Sequence, residues 1–88
     1  MNFEALQEKL AAYAPSEIVF MGLGNSMRCD DQAGLLMLDR IRGHDTYRSA
    51  LFIRAETNPE NHLQRILDSN ARAVVMIDTA RFHQQPVH

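Results

Sequence analysis

Ile18-Val19-Phe20-Met21 runs straight into Gly22-Leu23-Gly24-Asn25, and this stretch decides the fold. Four apolar residues in a row, without the alternation of a half-solvated strand, predict a strand buried on both faces, as in parallel sheets. A polar loop over residues 26–30 follows, then Asp31-Gln32-Ala33-Gly34-Leu35-Leu36-Met37-Leu38-Asp39-Arg40-Ile41-Arg42. There Leu35, Leu38 and Ile41, flanked by Leu36 and Met37, make a broad helical face. Asp30 and Asp31 stand where the helix dipole favours anions; Arg40 and Arg42 stand where it favours cations, with Gly43 just past the end.

Outward from that core the pattern repeats. Ala50-Leu51-Phe52-Ile53 predicts a second strand ending at Glu56-Thr57. Asn58-Pro59 reads as a helix start, with Asn58 as N-cap, Pro59 in the first helical position, and an apolar stripe of Leu63, Ile66 and Leu67 closed by Ser69-Asn70. Ala73-Val74-Val75-Met76-Ile77 predicts a third strand terminating in Asp78. Upstream, Phe3, Leu6, Leu10 and Tyr13 form one stripe of an amphipathic helix over residues 2–13, ended by Pro15-Ser16. Residues 79–88 are polar and without periodicity, and read as a tail. The expectation is a single α/β domain over residues 1–88: a three-layer sandwich around a short parallel sheet of three strands in the order 2-1-3, with right-handed crossovers.

Composition bounds the function. The chain has 88 residues, 45% hydrophobic and 23% charged, with nine Lys+Arg against eleven Asp+Glu for a formal net charge of -2. That balance fits a globular domain and excludes a disulfide scaffold or a disordered tail. No basic field is present to neutralise phosphates, so nucleic acid is not an expected partner. Cys29 is the single cysteine, as suits a reducing compartment. No apolar run reaches the roughly 18 residues of a membrane span, and the N-terminus lacks the basic and apolar regions of a signal peptide. A cytoplasmic location is expected.

In open parallel sheets, ligands sit beyond the carboxyl ends of the strands where the winding reverses. Gly22-Leu23-Gly24-Asn25, Glu56-Thr57-Asn58 and Asp78 all arrive there, with Asp31 opening the helix above strand one. Asp31 and Asp78 then face one another across the crevice. Each alone suits a cap; converging in one cleft, they repel unless a cation or a shared proton lies between them. The two glycines also suit a tight turn. A dinucleotide fingerprint would place its third glycine at position 27, which is Met27, and Asp30 and Asp31 would repel a pyrophosphate. Gly34 suits close packing of the helix on the sheet. His44, His62, His83 and His88 lack the spacing of a zinc motif. Asp30 and Asp31 raise rather than lower the thiol pKa expected for Cys29, which argues against a nucleophile.

Three ordered segments resemble the hydrogenase maturation proteases. These are the run from Val19 through Gly22-Leu23-Gly24-Asn25 to Asp30-Asp31-Gln32-Ala33-Gly34, then Thr57-Asn58-Pro59-Glu60-Asn61, and Val74-Val75-Met76-Ile77-Asp78-Thr79-Ala80. The resemblance covers residues 17–80 and corresponds to the N-terminal half of that family. It implies a phosphorylase/hydrolase-like fold and a cytoplasmic endopeptidase. The implied reaction removes the C-terminal tail of a nickel–iron hydrogenase large-subunit precursor after nickel insertion. Nickel would be carried by the substrate and read as a recognition element by Asp31 and Asp78. Gly24 and Asn25 would shape the loop, and Asn58, Glu60 and Asn61 would line the cleft. Oxygen ligands suit nickel on bonding grounds. The family's histidine ligand has no counterpart in a matching context here, and His83 and His88 are not carried over. Little peptidase activity is therefore expected of the 88 residues. The alternative is a non-catalytic metal- or peptide-binding assembly module of the same fold. An exposed parallel sheet edge also invites a homo-oligomer.

Overall fold

The computed structural model describes residues 3–24, 33–56, 58–78 and 81–86. Helix α1 spans Phe3–Leu10, β1 Ile18–Leu23, α2 Ala33–Arg42, β2 Leu51–Glu56, α3 Leu63–Asp68, β3 Ala73–Asp78 and β4 Arg81–Pro86. The sheet order is β2-β1-β3-β4. β1 pairs in parallel with β2 on one side and with β3 on the other, as the alternation of strands and helices predicts.

β4 is a correction. Residues 81–88 read as a tail, yet Arg81–Pro86 pairs antiparallel with all of β3, from Asp78↔Arg81 to Ala73↔Pro86. Among the described residues the sheet therefore has four strands and is mixed. An edge strand of this kind is held by ladder hydrogen bonds to one neighbour, and it needs no apolar pattern of its own.

Helices lie on both faces. Ile18 and Phe20 of β1 join Ala73, Val75 and Ile77 of β3 in a core with Leu6 and Leu10 of α1, Leu38 and Ile41 of α2, and Tyr47. On the opposite face Val19 and Met21 pack with Ile53, Ala55, Ile66 and Ala71. β1 is buried on both sides, the reason its sequence is continuously apolar. β3 alternates buried and half-buried residues despite an equally apolar sequence, because α3 covers less of its face than α1 and α2 cover of theirs.

Two helices are shorter than their sequence pattern. α1 stops at Leu10. After β2, Pro59–His62 forms a 3-10 turn in which Asn58, the N-cap residue, makes no side-chain cap hydrogen bond. At three residues per turn instead of 3.6, that turn resets the helical phase. Ile66 alone of the expected stripe is buried, while Leu63 and Leu67 are 56% and 54% exposed. Ser69 does end α3: its hydroxyl donates to the Ile66 carbonyl at 2.6 Å and accepts the Ala71 N–H at 3.2 Å.

The α2 face closes on an aromatic cluster. Phe20 stacks on Phe52 at 5.3 Å and meets Tyr47 edge-on at 5.0 Å. Burial pushes the Tyr47 phenol above its ordinary pKa of 10.0, with a hydrogen bond to the Gln7 side chain acting in the opposite sense. The folded protein thus keeps this proton to higher pH than the unfolded chain does. Stability contributed by the neutral phenol is complete below about pH 10 and falls as pH rises through the folded-state value. Urea midpoints taken across that range should drop in alkali, and Tyr47→Phe should flatten the drop; an equally steep drop in the variant would assign it elsewhere.

Candidate functional site

The candidate site lies at the carboxyl ends of the central strands. Leu23, the last residue of β1, is in register with Glu56 of β2 on one side and Asp78 of β3 on the other. With strands about 4.8 Å apart, the three chain ends span about 10 Å. The β1–β2 register shifts between Gly22 and Leu23, so the ladder becomes irregular just where β1 leaves the sheet. Gly24 follows with φ 146°, a conformation that a side chain would strain, which is the tight exit its sequence context predicts.

α2 enters against these same strand ends. A Cβ at Gly34 would stand 2.4 Å from the Leu23 carbonyl oxygen and 2.5 Å from that of Ile77. Only a glycine lets the first turn of α2 sit on β1 and β3 simultaneously. About one turn further along, Leu38 packs over Gly22, where a Cβ would lie 2.9 Å from Leu38 Cδ2. The two glycines together bring the helix onto the sheet. The positive end of the α2 dipole consequently lies over the β1–β3 crevice.

Asp78 is exposed at the last register position of β3. By alternation it belongs with Val74 and Met76 on the α3 side, opposite the face on which α2 packs. A ligand shared between Asp78 and the start of α2 would therefore sit above the strand ends, where both faces are reached, and not inside either core. Asn58, Glu60 and Asn61 are exposed on the turn that follows β2 at this same end. Asp31 and Asn25 lie outside the described residues. Among the described residues no group of three or more His, Cys, Asp or Glu side chains is arranged to hold a metal ion.

A groove of about 320 Å³ lies elsewhere, lined by Phe3, Met37, Arg40, Ile41 and His44. Arg40, Ile41 and His44 stand at or just past the C-terminal end of α2, remote from Gly34 and the strand ends. Phe3, His44 and Tyr47 pack ring against ring beside it, at 5.9 to 6.2 Å. It is the outer margin of the α1–α2 core, and sequence reasoning did not single it out. His62 is half-buried in the 3-10 turn.

No family model, no curated protein and no solved structure matches this chain. The site is thus described by its own geometry: an irregular strand exit, a glycine-seated helix N-terminus and an exposed carboxylate. No helix among the described residues is long and apolar enough to cross a membrane.

Proposed function

We propose that this chain is a cytoplasmic member of the hydrogenase maturation endopeptidases, and that Asp31 and Asp78 engage the nickel carried by a hydrogenase large-subunit precursor. The observation that carries the reading is the seating of Gly34 on the Leu23 and Ile77 carbonyls. It holds the first turn of α2, which begins two residues after Asp31 in sequence, at the same strand ends as Asp78. β1, the turn after β2 and the end of β3, which carry parts of the three motif segments, all open at one end of the sheet, and this supports the reading.

In chemical terms, two carboxylates that share a divalent cation hold it more tightly than water alone, and the cation relieves their mutual repulsion. Asn58, Glu60 and Asn61 supply amide and carboxylate groups beside it, suited to hydrogen bonds with a peptide backbone. Recognition of the loaded precursor is the part of the reaction that these residues perform.

Titration calorimetry with nickel, and with cadmium as a second probe, tests the reading. Stoichiometric binding should weaken at least tenfold, about 1.4 kcal/mol, in both Asp31→Asn and Asp78→Asn, with circular dichroism unchanged. Binding that is absent, or indifferent to both substitutions, would remove the support for a shared carboxylate site.

A further inference from the structure

The two edges of the sheet are not equivalent. β4 ends in Pro86, which has no N–H to donate to an incoming strand. β2, Leu-Phe-Ile-Arg-Ala-Glu, has neither proline nor lysine, the residues that commonly guard an edge. Among the described residues no strand lies beyond it. Leu51 and Phe52 are only half-buried there. The bond from the Asn58 N–H to the Ala55 carbonyl, 3.1 Å, belongs to the turn that leaves the strand.

We propose that this chain self-associates through β2, which pairs antiparallel with β2 of a second copy and joins the two sheets into one of eight strands. The two-fold axis is centred on Ile53. Residues directly opposite in an antiparallel pair share a face, so the axis must pass through a residue pair of equal parity. Centring on Arg54 sets Arg54 against Arg54 of the second copy, and like charges directly opposite are unfavourable. Centring on Phe52 leaves Arg54, Ala55 and Glu56 beyond the pairing. Centring on Ile53 engages residues 51–55 and leaves only Glu56 beyond the pairing. On the α3 side it sets Leu51 opposite Ala55 and Ile53 opposite its own copy; on the α2 side it sets Phe52 opposite Arg54. The Arg54 guanidinium is already drawn toward Asp39 by two hydrogen bonds of 3.0 and 3.1 Å, which leaves the aliphatic stem to cover the Phe52 ring. The strand is thus complementary to itself in one register.

Sedimentation equilibrium from about 1 μM to 1 mM, together with amide exchange at both ends of that range, tests this. The mass should rise from 10.0 kDa to twice that value. Exchange in residues 51–55 should slow with concentration while residues 81–86 stay unchanged. Leu51→Lys, which places a charge against Ala55 of the second copy, should raise the dissociation constant at least tenfold. A monomer throughout would overturn the proposal, as would a dimer whose protection appears at β4 or whose affinity Leu51→Lys leaves alone. Should Leu51→Lys fail to fold, the exchange pattern of the unaltered protein decides.

Discussion

Phe20→Ala should lower the unfolding free energy by about 4 kcal/mol, within the range for emptying a buried aromatic site. Phe20 is fully buried in the middle of the central strand, stacked on Phe52 and edge-on to Tyr47. The cavity cannot collapse easily, because β2 and β3 fix the backbone of β1 from both sides. A domain of this size has a total stability of about 5–15 kcal/mol, so the loss is a large fraction of the whole. Urea denaturation followed by far-UV circular dichroism measures the effect, with Phe20→Leu as the milder comparison. A loss under about 1 kcal/mol would mean that the aromatic cluster is not the organising part of this face.

Gly34→Ala should destabilise by a net of about 2 kcal/mol, even though alanine is the better helix former by about 1 kcal/mol. The added methyl would meet two carbonyl oxygens at 2.4 and 2.5 Å, and both belong to central strands that cannot give way. α2 must retreat instead, losing contact along its length. Gly22→Ala makes the informative comparison. Its nearest obstacle, at 2.9 Å, is the tip of the Leu38 side chain, which can turn aside, so the loss should be smaller. The two urea midpoints, measured side by side, test the ranking. If Gly34→Ala matched or exceeded the stability of the parent, the close seating of α2 on the strand ends would be wrong.

Much of the sheet was legible because burial on two faces leaves a plain mark. Ile18-Val19-Phe20-Met21 is continuously apolar for the reason the fold exhibits, and Gly34 interrupts an otherwise leucine-rich helix where the backbone needs the space. β4 left no such mark. Arg81-Phe82-His83-Gln84-Gln85-Pro86 has the composition of a loop, and its strand character comes from the ladder with β3, a tertiary interaction that periodicity does not report. The Leu63–Ile66–Leu67 stripe misled for a different reason. A proline-initiated helix start does not say whether the first turn is α or 3-10, and that choice sets which leucine faces the sheet. At the site, the strand end at Asp78 and the turn at Gly24 were both readable from an apolar run stopping at a polar or glycine residue. The crossing of Asp78 to the α3 side was not, since it depends on register counted from the opposite end of β3.

The position of β1 has a consequence for the order in which the molecule assembles. The strand at the heart of the sheet is the earliest of the described strands, and its partners lie far downstream: Val19 meets Leu51, and Ile18 meets Ala73. β3 and β4, by contrast, are neighbours in sequence, and a hairpin of that kind closes in about 1–10 μs. The antiparallel pair therefore forms early and locally, whereas the parallel pairings must wait for long loops to close, the slow step in folds rich in distant contacts. During synthesis on the ribosome, β1 leaves ahead of both its sheet partners and stays without one until β2 has followed.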